Sequence, residues 1–246
     1  MNTDKLDDYL NLLDTTISNL MPSPARNRLE WLRHDLATFA IDTLATNLYR
    51  RAWARIVLDR LEAITLPPNM HATFVQTKLE LRAFSKGEPL RPLFGQQRIA
   101  PGFQTFNINQ EQLPGFPGDL ANSTLATVQT RIQQGTYSPD QIPIRIFLHG
   151  VQQKWIAANN RGYTAHCLAG VRPLRMLPTI FEPTDIEITR LQEVEGENGI
   201  GPWTGMRGNE PNPRRLPSER MFVVPIVNAA GSGAITSVAS VPVNFV

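Results

Sequence analysis

The sequence has a single cysteine, Cys167, which excludes an intramolecular disulfide and a cysteine-based zinc cluster. It has no apolar run near the roughly 20 residues that a membrane-spanning helix needs. The opening MNTDKLDDYL is acidic and polar, without the basic and then apolar layout of a signal peptide. These absences predict a chain made in the cytoplasm with no membrane segment. If it is secreted, it leaves by a route that reads no N-terminal signal.

The chain also has almost no net charge. Its 24 basic and 22 acidic residues leave a formal charge of +2, so no strong overall field recruits nucleic acid or acidic lipid. The basic residues are divided unevenly, with 20 arginines and 4 lysines. The planar arginine fork suits phosphate and carboxylate, although a coding bias toward arginine explains the same composition.

Apolar residues recur at helical spacing through residues 1–68, which predicts a helical N-terminal region. A first helix spans Leu6–Leu20, and Ser23 followed by Pro24 has the pattern of a second helix start. The second apolar stripe is long for one helix, so we expect a break near Asp42–Asn47. We expect the arginines near its end to lie on a solvated face or to pair with Asp59 and Glu62, with a binding patch as the alternative; they are Arg50, Arg51, Arg55 and Arg60.

Residues 69–97 alternate apolar and polar side chains in ATFVQTKLELRAF, which predicts one or two strands in a connecting hairpin or loop. Residues 98–186 have the pattern of a compact α/β unit. Its predicted elements are a helix at Ser123–Gln134, a strand in IPIRIFLHG, a strand in KWIAA that forms a hairpin with it, a helix at Tyr163–Ala169 and a short strand in LRMLPTIF. Residues 187–246 are predicted to be a long loop and C-terminal strands. The predicted fold class is therefore α+β, with a helical start, an α/β domain and a β-rich tail.

The segment NNRG, residues 159–162, lies between the second strand of the predicted hairpin and the following helix. The first turn of a helix leaves backbone N–H groups without intrahelical acceptors and attracts anions such as phosphate. Asn160 is a candidate cap for this helix, Arg161 would place a forked cation there, and Gly162 would allow close approach. Pairing of Arg161 with a nearby carboxylate is the alternative.

The order of these elements resembles the ParB/sulfiredoxin-like superfamily, in which two strands, an arginine-containing turn and a helix ending in Ala-Gly follow one another. The pattern more specifically resembles the ParB-like domains of bacterial polymorphic toxins, with IAPGF at Ile99–Phe103, NNRG and AGV at Ala169–Val171 as the matching features. The resemblance covers Arg98–Pro183. It implies a ParB-like α/β domain at residues 98–186 in which Arg161 matches the first arginine of the family turn.

The turn also departs from the family pattern. Asn159 stands where the family has glycine, and Gly162 stands where it has a second arginine. A nucleotide clamp of the ParB type would therefore lose one phosphate contact. Sulfiredoxin needs a cysteine in the turn, and here Cys167 lies well along the helix, so repair of a sulfinic acid is not expected.

The resemblance implies roles for the remaining site residues. Arg161 would steady a phosphate, Asn159 and Asn160 would orient it, and His149 or His166 would move a proton. Arg145 alternates with apolar neighbours on its strand, so it faces either this pocket or solvent. For each histidine a structural role is the alternative. No metal site is predicted within the turn, but the carboxylates that follow the last strand could hold Mg²⁺, with a solvated loop as the alternative; they are Glu182, Asp185 and Glu187.

The leading functional hypothesis is a toxin or effector domain of a bacterial antagonism system. It would act on a phosphate-containing substrate, most directly by cleaving nucleic acid, and an immunity protein would be its partner. The first alternative is a non-catalytic binding or structural protein on a ParB-like scaffold. The second is a nucleotide-dependent phosphotransferase that uses the same pocket with a nucleoside triphosphate and Mg²⁺.

Overall fold

The computed structural model describes residues 5–87, 90, 92–94, 113–149 and 154–180. Within them the chain is a mixture of helices and short strands, as the predicted α+β class requires. The chain divides into two compact units. Of the described residues, those within 1–90, 113–115 and 174–180 form the helical unit, and those within 91–112 and 116–173 form the α/β unit. The helical unit thus extends beyond the predicted boundary at residue 68.

The helical unit begins with three helices, α1 (Leu6–Ser18), α2 (Pro24–Thr43) and α3 (Asn47–Glu62). The predicted start of α2 is confirmed, because the Ser23 side chain accepts a hydrogen bond from the backbone N–H of Arg26. The predicted break is confirmed as well, since α2 ends at Thr43 and Thr46 caps α3 through the N–H of Tyr49. Their apolar faces form one core that includes Leu29, Leu32, Leu36, Trp53 and Leu58.

The expectation of one or two strands in ATFVQTKLELRAF is wrong, because Val75–Ser85 forms a helix, α4, after a 3-10 turn at Pro68–Met70. The buried residues Phe74, Leu81 and Ser85 lie seven and four positions apart, which is helical spacing. Val75 and Leu79 are exposed apolar residues, and they created the apparent alternation. The other residues of α4 include Gln, Lys, Glu, Leu and Arg, which favour a helix.

The basic stretch of α3 has two kinds of environment. Arg55 pairs with Asp59 at 2.9 Å, as predicted. Arg60 is buried, with 1% of its surface exposed, and donates to Asp35 of α2 at 2.6 Å. The expectation of a solvated face is therefore wrong for Arg60. Burial of a guanidinium group requires a buried partner, and that partner lies 25 positions away in the sequence.

The α/β unit contains strands β1 (Leu93–Phe94), β2 (Ile144–His149) and β3 (Lys154–Ala157), a 3-10 turn at Leu120–Asn122, and helices α5 (Leu125–Gln133) and α6 (Asn160–Ala169). Strand β3 lies between β1 and β2, parallel to β1 and antiparallel to β2. The predicted hairpin of β2 and β3 is confirmed, with Phe147 opposite Ile156.

Other predictions for this region have mixed outcomes. Helix α5 matches the predicted helix, whereas α6 starts three residues earlier than predicted. The short strand predicted in LRMLPTIF is present as β4 (Met176–Pro178), and it belongs to the helical unit. IAPGF, the long loop and the C-terminal strands lie outside the described residues. No helix in the described part of the chain is both long and apolar enough to span a bilayer.

Candidate phosphate-binding turn

The structure brings five of the predicted site residues together. Arg145 is the second residue of β2, Asn159 is the residue before α6, and Asn160, Arg161 and Gly162 form the first turn of α6. A backbone hydrogen bond joins the start of β2 to the residues just before α6, because the N–H of Ala158 donates to the carbonyl of Arg145 at 2.9 Å. The start of β2 and the start of α6 therefore form one local site, which we call the Asn-Arg turn.

Asn159 fastens this turn to β2. Its side-chain Oδ1 accepts a hydrogen bond from the N–H of Arg145 at 2.7 Å, and its Nδ2 donates to the carbonyl of Pro143 at 2.7 Å. Both ends of the amide are thus engaged with backbone groups of the fold. Asn159 shapes the turn, and a direct contact with phosphate would have to compete with these two bonds.

The expected cap by Asn160 is wrong. Asn160 is the first residue of α6, and the residue at the cap position, Asn159, makes no side-chain capping bond. The Asn160 side chain is 7% exposed, and its Nδ2 lies 3.4 Å from the carbonyl of Ala158. The helix instead begins with the N–H of Tyr163 bonded to the carbonyl of Asn159 at 3.3 Å.

Gly162 is required by packing of α6 on the start of β2. A Cβ at this position would lie 3.2 Å from Asn159 Nδ2 and 3.2 Å from Ile144 Cδ1, with Ile142 Cγ2 at 3.4 Å. The two separations of 3.2 Å are a few tenths of an ångström shorter than ordinary van der Waals contact, and the third is at its lower limit. The glycine therefore allows the helix to approach the sheet, and the space is taken by the protein rather than by a ligand.

We predict that Gly162→Ala destabilises the α/β unit by about 1 kcal/mol, because crowding of the added methyl group against Asn159 and Ile144 outweighs the gain of about 1 kcal/mol that alanine brings to a helix. Gly118→Ala is the matched control, since a Cβ there has no atom within 4 Å. Urea unfolding of both variants measures the difference. Equal stability of the two variants would contradict the packing role of Gly162.

Arg145 carries the clearest electrostatic signal of the turn. Its side chain is half-buried, and its Nε is enclosed without a hydrogen-bond acceptor among the described residues. Burial lowers the pKa of the Arg145 guanidinium, and no described carboxylate opposes that effect. The charge of Arg145 is thus partly desolvated, which is the condition under which a bound anion is stabilising.

Arg161 is half-buried in the first turn of α6. This is the position that the resemblance assigns to the first arginine of the family turn. The helix dipole and the guanidinium group both favour an anion at this end of α6.

The two histidines lie away from the turn. In the strand register His149 lies opposite Lys154, at the end of the hairpin away from the Asn-Arg turn. It is four residues and about 13 Å along β2 from Arg145. His166 lies in α6 with 0% of its surface exposed, and its Nε2 is 3.3 Å from the carbonyl of Ile142. The structure therefore does not bring either histidine to Arg161, and it encloses His166 within the fold.

His166 gives a pH-dependent prediction. Burial lowers the pKa of His166 to about 4, against smaller opposing contributions from hydrogen bonds to the backbone of Ile142 and Val171. The unfolded chain binds a proton below about pH 6.5, whereas the folded chain does so only near pH 4. Neutral, buried His166 therefore makes its full contribution to the free energy of unfolding above about pH 6.5. That contribution falls by roughly 3 kcal/mol as the pH drops to 4.

The measurement is urea unfolding of the wild type and His166→Gln at intervals between pH 7 and pH 4. The difference in unfolding free energy between the two proteins should change across this range, because glutamine does not titrate. A difference that is constant with pH would show that His166 is accessible to protons in the folded state.

Cys167 adds no reactive group to the turn, and the described residues show no metal-binding cluster there. Cys167 is buried, and burial raises the pKa of its thiol to about 12, so it packs as a small apolar residue. The described residues contain no group of three or more His, Cys, Asp or Glu side chains that could hold a metal ion. The three carboxylates Glu182, Asp185 and Glu187 lie outside the described residues.

Two side chains that hold α6 in place were missed by sequence reasoning. Tyr163 of α6 is buried and donates through its hydroxyl to the carbonyl of Pro92 at 2.7 Å. Gln129 of α5 donates to the carbonyl of Leu168 at 3.1 Å. Both bonds hold α6 to segments that are distant in the sequence. No local pattern could have indicated them, because a tyrosine or glutamine on a helix has the same spacing with or without such a partner.

Comparison of the chain with models of protein families, with curated proteins and with solved structures gives no significant match.

Proposed function

We propose that the α/β unit is a ParB-like domain that binds a phosphate-containing ligand at the Asn-Arg turn. The observation that carries this proposal is the state of Arg145, a half-buried cation whose Nε has no acceptor among the described residues. A phosphate oxygen would supply both the counter-charge and the acceptor. Arg161, in the first turn of α6, would hold the same phosphate with help from the helix dipole.

We further propose that the ligand is nucleic acid and that the domain acts as a toxin or effector in bacterial antagonism, with phosphodiester cleavage as its reaction. The support is the sequence resemblance of IAPGF, NNRG and AGV to ParB-like toxin domains. In this proposal Asn159 acts by positioning the turn. His166 is left out because it is enclosed, and His149 would act as proton carrier only on a part of the nucleic acid that extends to the far end of the hairpin. Mg²⁺ held by Glu182, Asp185 and Glu187 would be the cofactor, and an immunity protein would be the partner.

A non-catalytic binding protein is the second candidate, and one observation favours it. Of the two histidines proposed as proton carriers, His166 is fully buried and His149 lies at the far end of the hairpin. A general acid or base must come within hydrogen-bonding reach of the proton it transfers. The Asn-Arg turn by itself therefore has the groups needed to bind a phosphate but no placed proton carrier.

The test compares cleavage and binding in the purified wild type, Arg161→Ala and Arg82→Ala. Arg82 is an exposed arginine of α4 that pairs with Glu62, so it controls for loss of one surface charge. Plasmid DNA and total RNA are incubated with each protein with and without Mg²⁺. Cleavage by the wild type and Arg82→Ala but not by Arg161→Ala is the expected result. Full cleavage by Arg161→Ala would place the site elsewhere.

Two further outcomes separate the alternatives. Binding of DNA or RNA without cleavage, together with normal growth of a bacterium that expresses the chain, would support the non-catalytic protein. Stabilisation by a nucleoside triphosphate with Mg²⁺ would support the phosphotransferase, since a ligand at about 100 times its dissociation constant stabilises a protein by about 2.7 kcal/mol.

A further inference from the structure

The helical unit is completed by two segments that come from far along the chain. Residues 113–115 and 174–180 belong to it, although α1 to α4 all lie before residue 86. The second segment, Leu174–Ile180, includes β4 and contacts α2 and α3. We call this segment the strap.

Arg175 anchors the strap to α2 through buried charges. Its Nε and Nη2 donate to the two carboxylate oxygens of Asp35 at 2.7 Å each, and its Nη1 donates to the carbonyl of Pro114 at 2.7 Å. Arg175 and Asp35 are both 0% exposed. Arg60 of α3 donates to the same carboxylate. Asp35 therefore joins α2, α3 and the strap at one point.

Burial alone would raise the pKa of Asp35, but Arg60, His34 and Arg175 outweigh that effect and hold the pKa well below its usual range. The carboxylate is thus charged in the folded protein. A buried charge that loses a partner is strongly destabilising, because water cannot replace the partner in the enclosed core.

The strap also completes the apolar core. Leu177 is 0% exposed and belongs to the same core as Leu32, Leu36 and Leu58. Tyr49 of α3 donates through its hydroxyl to the carbonyl of Thr179 at 3.1 Å. Removal of the strap would therefore leave an unfilled core as well as an incompletely paired carboxylate.

We propose that the strap is a latch for the helical unit: α2 and α3 hold their native packing only while Arg175 is bound to Asp35, and they open together with the strap. The N-terminal helices are then not a domain that folds by itself, because their core needs residues that follow the whole of α6. Opening of the strap and opening of the helices are one event.

Hydrogen–deuterium exchange on the full chain tests this coupling. In Arg175→Met, which keeps most of the side-chain volume, the amides of α2 and α3 should lose at least about 100-fold of their protection as one block with the strap. Arg33→Met is the matched control. Arg33 also makes a two-pronged contact with a carboxylate, Asp14, but both side chains are largely exposed. That variant should change protection less than about fivefold.

Tyr49→Phe provides a milder variant for the case in which Arg175→Met does not fold. It removes the hydroxyl that holds Thr179, and it should lower protection of the strap and of α2 and α3 by a similar factor of about 2 to 10. Faster exchange confined to residues 174–180, with α2 and α3 unchanged in either variant, would overturn the proposal.

Discussion

Asp35→Ala should destabilise the helical unit by about 3–5 kcal/mol, the largest effect that we expect for any single substitution in this chain. The substitution removes the carboxylate that accepts hydrogen bonds from Arg60 and Arg175, which are 1% and 0% exposed. Two guanidinium groups then remain in the core without their shared counter-ion. Thermal and urea unfolding followed by circular dichroism measure the loss.

Asp14→Ala is the matched control for this prediction. Asp14 also accepts two hydrogen bonds from one arginine, Arg33, but the side chains are 50% and 41% exposed. Exposed pairs contribute less than about 1 kcal/mol, because water screens the charges and replaces the lost bonds. Similar losses in the two variants would mean that the Asp35 carboxylate is reached by solvent in the native protein.

Asn159→Ala should destabilise the α/β unit by about 2–5 kcal/mol. The alanine leaves the N–H of Arg145 and the carbonyl of Pro143 without the amide that now bonds both at 2.7 Å, and each loss costs about 1–3 kcal/mol when the group stays buried. Urea unfolding of the variant measures the cost. Asn159→Asp keeps the acceptor for Arg145, loses the donor to Pro143 and places a carboxylate beside the Pro143 carbonyl. Its stability should lie between those of the wild type and Asn159→Ala if the acceptor bond outweighs the carboxylate–carbonyl repulsion.

Asn159→Ala also distinguishes two roles of Asn159, positioning of the turn and direct contact with phosphate. If Asn159 only positions the turn, ligand affinity measured on the folded fraction of Asn159→Ala falls in step with the loss of order at the start of α6. If Asn159 also contacts phosphate directly, the folded fraction of Asn159→Ala loses affinity even where the start of α6 keeps its order. The two hydrogen bonds to β2 support the first outcome.

Local features of the fold were predictable because their causes are local. The Ser23 cap, the break before Asn47 and the β2–β3 hairpin each follow from residues within a few positions of one another. Helix α4 was mispredicted because exposed Val75 and Leu79 imitate the alternation of a strand. Burial of those positions, and not their residue types, was the missing information.

The distant features could not be predicted from one sequence. Asp35 and Arg175 are 140 positions apart, and neither has a neighbouring pattern that indicates a partner. At the candidate site, sequence reasoning placed Arg161 and the start of α6 correctly to within three residues. It could not tell that a Cβ at Gly162 would crowd Ile144 or that His166 is buried, because both depend on how α6 packs against the sheet.

The most direct test of the phosphate-binding proposal is the salt dependence of oligonucleotide binding by the wild type, Arg145→Met and Arg161→Ala. Fluorescence anisotropy with labelled single-stranded DNA, duplex DNA and RNA gives the affinity at each salt concentration. Each substitution should weaken binding by about tenfold and reduce the slope of log affinity against log salt by about 1, because one phosphate contact is lost. Affinity and slope equal to those of the wild type in both variants would contradict the proposed site.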